Sequence, residues 1–242
     1  MSISRVIKLG AALCLAALLS ACGTPMGLTK QTSQLDLSQK SIILASFEVT
    51  RSNGRLMLDP RHVVLDADRK NADGKNNTPL SIDDEGMEQD SAKPRKVVLL
   101  RMALEPGKHR LDYVSGTITG FLAGGFWSVP LSAEFEVPPQ SVVYLGRISA
   151  HLRERKDDEF RAGSMVPLID QAVLGISNGT FDVKISDQSS VDLPRFKQEF
   201  SALGKQPIQT QLLPAYDRGV FDRAFMSEGS NGAAQAAPAK AN

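Results

Sequence analysis

From residue 41 to residue 152 the apolar side chains either recur with a period of two or run on unbroken, and turn residues separate the runs. "SIILASFEV" (41–49) is rich in Ile, Val and Phe, and "HVVLDA" (62–67) is a shorter segment of the same kind. "KVVLLRMAL" (96–104) is almost continuously apolar, the pattern of a strand covered on both faces. "EPGKHRLDYVSG" opens on a Pro106-Gly107 turn and continues as an alternating strand. Its alternation sets Leu111, Tyr113 and Ser115 on one side and Arg110, Asp112 and Val114 on the other. "PLSAEFEV" (130–137) directs Leu131, Ala133, Phe135 and Val137 to one face, and Pro138-Pro139 ends it. "SVVYLGRISAHL" (141–152), "TFDVKIS" (180–186) and "IQTQLL" (208–213) supply further strands. Short strands at this spacing predict a mostly β chain folded as an antiparallel β-sandwich.

In two stretches the period changes to three and four. Met165, Leu168, Ile169, Ala172, Val173 and Ile176 predict one short α-helix, started by Ser164 and stopped by Gly175. Leu193, Phe196, Phe200 and Leu203 predict a second, with Asp192 as N-cap, Pro194 in the first turn and Gly204 as C′. Each stripe is expected to dock on the sandwich. Residues 22–40 are polar and broken by Gly and Pro, which predicts a tether. The domain then spans 41–215, with residues 67–94 as a long solvated loop, and residues 216–242 form a flexible tail.

The N-terminus carries Arg5 and Lys8, no acid, and then "LGAALCLAALL". A spanning helix needs about 20 apolar residues, so this run is too short, and residues 1–21 read as a secretory signal. Its last residues, Leu19-Ser20-Ala21-Cys22, resemble the lipobox of bacterial lipoproteins. The resemblance implies acylation of the Cys22 thiol and cleavage before Cys22, so that membrane lipid is the first partner. Gly23 stands where Asp would imply inner-membrane retention, so the implied place is the periplasmic face of the outer membrane. An inner or single cell membrane is the alternative. From residue 96 onward, "LEPGKHRLDY", "FEVPPQSVVYLGRI" and "VDLPRFKQEFSALG" resemble lipoprotein domains of unknown function. The first element is similar to the turn-and-strand of transthyretin-like and carboxypeptidase-regulatory-like sandwiches. This resemblance brings no catalytic residue with it.

Removal of residues 1–21 leaves 26 basic and 27 acidic side chains, a net charge of −1, which argues against a nucleic-acid partner. Of the two cysteines, Cys14 lies in the leader and Cys22 at the anchor, so none remains for a disulfide, a thiolate nucleophile or a cysteine metal site. No cofactor motif is present.

"GISNG" (175–179) matches the nucleophile elbow G-x-S-x-G, but a predicted helix precedes it and a strand follows, the reverse of that motif's context. His62, His109 and His151 all lie upstream of Ser177 and on separate strands, which fits neither a triad in that order nor a close zinc-ligand pair. "DADRKNADGKNN" (66–77) is rich in oxygen ligands, yet Arg69 and Leu80 fall where a calcium loop needs acids. "HLRERKDDEFR" (151–161) reads as a solvated strand end, or as a polar contact surface through Arg153 and Arg155. "GFLAGGFWSVPL" (120–131) reads as core, or, with its Gly124-Gly125 turn exposed, as an apolar tip of Phe121, Phe126 and Trp127. The expected function is a non-enzymatic structural or interaction role in the cell envelope, with an envelope protein or peptidoglycan as candidate partner. The alternative is a periplasmic small-ligand binder or hydrolase that uses His109 or His151 with nearby acids.

Overall fold

The computed structural model describes residues 23–52, 56–68, 79–90, 92–119, 124–156, 158–163 and 175–223. Among these residues ten strands form two stacked sheets: β1 (Ser41–Arg51), β2 (Leu58–Leu65), β3 (Leu80–Ser81), β4 (Glu88–Asp90), β5 (Arg95–Leu104), β6 (Gly107–Thr119), β7 (Gly124–Val137), β8 (Val142–Glu154), β9 (Gly179–Ser186) and β10 (Gln209–Thr210). One sheet has the order β10-β8-β1-β5-β4, with β9 also paired to β8; the other has the order β3-β2-β6-β7. The chain is therefore mostly β and consistent with a sandwich. Two pairings, β1 with β8 and β10 with β8, are parallel, so the larger sheet is mixed. A bulge at Gly146 shifts the β1–β8 register, and its φ of +100° is one that side chains other than glycine rarely adopt.

The core between the sheets is built from alternate residues. β1 sends in Ile43, Ala45, Phe47 and Val49, and β5 sends in Val98, Leu100 and Met102. Every odd residue of β7 from Gly125 to Val137 is buried. Trp127 stands at the centre, its ring 6.3 Å from Phe47 and 5.6 Å from Phe181. The other face of the larger sheet is covered as well, which is why β1 and β5 read as unbroken apolar runs. Ile42, Leu44, Leu99 and Tyr144 meet Phe196, Phe200 and Leu203 from α1 (Ser189–Glu199) and the 3-10 turn that follows it.

Four expectations are corrected. First, Asp192 does not cap α1; the helix begins three residues earlier, and Asp192 lies buried in its first turn. Second, residues 23–40 do not stand away from the body. Thr24 pairs with Leu80, the Gly27 amide donates to the Arg101 carbonyl at 2.8 Å, and Met26 and Leu28 are buried. Third, the region 67–94 is not one open loop, because residues 79–90 contain β3 and β4 and bury Leu80. Fourth, the tail begins later than 216, because Tyr216 and Phe221 pack against the core with rings 5.4 Å apart. The other predicted helix falls on residues 164–174, outside those described.

Arg101 explains how the first segment is held. Alone among apolar residues on β5, it is 1% exposed. Its guanidinium donates to the carbonyls of Leu28 (2.8 Å), Glu85 (2.9 Å) and Leu99 (2.9 Å) and to the Asp83 carboxylate (2.5 Å). It also lies 4.4 Å from the Phe200 ring centre. One buried cation thus joins the N-terminal segment, the turn before β4 and the end of α1. Among the described residues no helix is long and apolar enough to cross a membrane.

Candidate interaction surface

The smaller sheet is covered on only one side by the core. Its outer face carries a row in which His62, Ser115 and Ser128 lie side by side on β2, β6 and β7. Neighbouring rows hold Tyr113 beside Pro130 and Thr117 beside Phe126. Of these, His62, Tyr113, Ser115, Thr117, Phe126 and Ser128 line, with Arg61 and residues 161–163, a trough of about 570 Å³. Gly116 belongs to the inward row opposite Trp127; a Cβ there would collide with the Asp59 carbonyl and the Trp127 indole. Residues 161–163 close the rim of β7: the Ser128 amide donates to the Ala162 carbonyl at 2.8 Å.

Phe126 is 71% exposed and Trp127 is 1% exposed. The two neighbours differ because successive strand residues point to opposite faces. Trp127 therefore turns into the core, where its indole N–H donates to the Thr117 carbonyl at 2.9 Å, and it contributes to the trough only from beneath. Phe121 lies outside the described residues. Arg153 sits at the far end of β8, where it donates to both Glu159 oxygens (2.7 and 2.6 Å) and to Asp182 (2.7 Å). Arg155 donates to the Glu159 carbonyl at 2.8 Å. Arg153 and Arg155 are thus tied to Glu159 within the molecule and lie apart from the trough, and of the charged run 151–161 the trough lining includes Arg161.

This cluster gives the protein a defined acid response. The Arg153 guanidinium holds the Glu159 carboxyl down at about 2, against an ordinary 4.5. A carboxylate lowered on folding stabilises fully above its unfolded value and loses that contribution as pH falls through the folded one. Urea unfolding of wild type and Glu159→Gln should differ by a constant amount above pH 4.5, and the difference should shrink between 4.5 and about 2. A difference independent of pH across that window would show that Glu159 is not held by Arg153 in solution.

The remaining candidates are scattered. His109 bonds Asp66 at 2.7 Å and the Glu105 carbonyl at 2.9 Å, on the smaller sheet near the start of β6. His151 bonds Thr50 at 2.8 Å and Ser52 at 2.7 Å, on the larger sheet. Both rings serve local hydrogen bonds, and neither lines the trough. Ser177 is buried in the turn before β9, and its carbonyl accepts from Arg161 at 2.7 Å. Among the described residues no group of three or more His, Cys, Asp or Glu side chains is arranged to hold a metal. The trough lining itself includes no carboxylate to orient His62 toward Ser115 or Ser128, as a triad requires. Its chemistry is that of a contact surface: the aromatic side chains Tyr113, Phe126 and Trp127, two guanidiniums, one imidazole and hydroxyls.

Sequence reading missed Tyr113, Arg61, His62 and Arg161 as members of one surface. Tyr113 was expected to share a face with Leu111. A bulge at Asp112 intervenes, so Leu111 and Val114 both point inward and Tyr113 lies on the outer face. The only available signal was the odd spacing of apolar residues at 111 and 114. No protein-family model, no curated protein and no solved structure matches the chain.

Proposed function

We propose that this protein is a lipid-anchored lipoprotein on the periplasmic face of the outer membrane, with a non-enzymatic interaction role in the cell envelope. The observation that carries the reading is the ordered leader: Arg5 and Lys8, a short apolar run, then Leu19-Ser20-Ala21-Cys22. Acylation of Cys22 would place the sandwich on the membrane without a spanning helix. The outer face of the smaller sheet is its contact surface, and Phe126 is the most exposed large apolar side chain among the described residues.

Photocrosslinking in intact cells tests the role. A photoreactive residue at position 126 should give one dominant adduct with an envelope component, and the same residue at exposed Val191 on α1 should not. Equal, diffuse labelling from both positions would remove the outer face as the contact surface.

A further inference from the structure

The first described residues begin on the smaller sheet. The Thr24 amide donates to the Pro79 carbonyl at 3.0 Å and the Ser81 amide donates to the Thr24 carbonyl at 2.8 Å. Thr24 thereby extends the edge beyond β3. Cys22 precedes Gly23, whose Cα neighbours Pro79 and Ser81 closely enough that an added Cβ would press on both. Gly23 is the first described residue and Cys22 is bonded to it, so a single peptide link separates the proposed attachment point from a residue at this edge. Ser81 pairs with His62, and His62 lies in the trough row. From Thr24 to β7 there are four strand spacings, roughly 19 Å at about 4.8 Å each.

We infer that the trough face is the membrane-facing side of the protein, and that its occupant is an anionic phospholipid surface. The proposal rests on the lipid-anchor reading and deepens it. Two points of attachment set the line along which the face meets the bilayer. Acyl chains on Cys22 hold the β3 edge, and Phe126 reaches the interface from the β7 edge. Tyr113 lies between them, an amphipathic ring suited to the headgroup level. Arg61 and Arg161 face the same space, and the lining contains no acid. Arg61 also pairs with Asp59 at the rim. The two guanidiniums, that of Arg61 shared with Asp59, are the groups that would meet lipid phosphates. On the opposite side of the sandwich α1 packs with Leu28, Leu35 and Leu37 over the larger sheet, so the anchor orients the trough face toward the bilayer and the α1 face away from it.

The test uses the acylated protein in vesicles of phosphatidylethanolamine and phosphatidylglycerol. In this reading no native thiol competes for label, since Cys14 leaves with the leader and Cys22 is acylated. An environment-sensitive fluorophore is attached at Phe126→Cys or, on the far side, at Val191→Cys; both positions are exposed, so neither change threatens folding. The label at 126 should shift to the blue and be quenched by headgroup nitroxide lipids, and the label at 191 should do neither. Arg61→Glu should lower the contacting fraction by at least about fivefold, the factor expected for one cation near an anionic surface. Vesicles of phosphatidylcholine alone should weaken contact similarly. Equal responses at 126 and 191, in protein that still floats with the vesicles, would overturn the orientation and leave the anchor standing. Protein that neither floats nor carries acyl groups on Cys22 would overturn the anchor, and the orientation with it.

Discussion

Cys22→Ala is expected to abolish incorporation of labelled palmitate and to leave the protein uncleaved or soluble. In the lipoprotein reading the effect is all or none, because the Cys22 thiol takes the first lipid and cleavage before Cys22 follows from it. Each buried methylene contributes about 0.8 kcal/mol, and two or more chains are needed for stable anchoring. The trough face, with one exposed Phe and two Arg side chains, cannot replace that energy by itself. A short apolar leader left uncleaved would keep the variant at the inner membrane, still unlabelled. Pulse labelling followed by fractionation reads both outcomes. Label retained in the Ala variant would mean that the lipobox reading is wrong.

Asp192→Ala is expected to destabilise the fold by about 3–5 kcal/mol, the usual cost of removing one partner from a buried ion pair. That is a large part of the roughly 5–15 kcal/mol by which domains are stable. Asp192 is fully buried between α1 and β8. It accepts from the Tyr144 hydroxyl at 2.5 Å and pairs with Arg147. Burial, reinforced by the bond to Asp192, pushes the Tyr144 hydroxyl far above its ordinary range, so it remains a donor. In the Ala variant Arg147 retains only Glu48, at 3.5 Å, among its ion-pair partners here, and the Tyr144 hydroxyl loses its acceptor. Asp192→Asn keeps that acceptor and should cost less. Replacing the pair together, as Asp192→Leu with Arg147→Met, should recover most of the loss, because no uncompensated charge remains. Chemical denaturation of the variants decides the matter. A loss under about 1 kcal/mol for Asp192→Ala would place the pair in solvent rather than beneath α1.

What could be read in advance follows from periodicity. A period of two marks one buried face, so the inward residues of β7 were legible from Leu131 to Val137. An unbroken apolar run marks two buried faces, so β5 was legible as a strand beneath another layer. The covering layer was not. Residues 23–40 are polar in composition, and only Met26, Leu28, Leu35 and Leu37 betray that the segment packs. Bulges were illegible because one extra residue reverses the alternation without altering composition. That is how Tyr113 came to be assigned to the face of Leu111. Long-range ion pairs were illegible too. Arg101 in "LLRMAL" and Asp192 in "VDLPRF" each stood out as polar, but nothing local names Leu28, Asp83 or Arg147 as partners. The trough draws on β2, β6, β7 and residues 161–163, and only folding brings them together.

The mass of the N-terminal peptide of the mature protein, isolated from membranes, tests the anchor most directly. A peptide that begins at Cys22 and carries acyl mass on that residue is the predicted result. A peptide that runs through Ala21 into an unmodified Cys22 would contradict it.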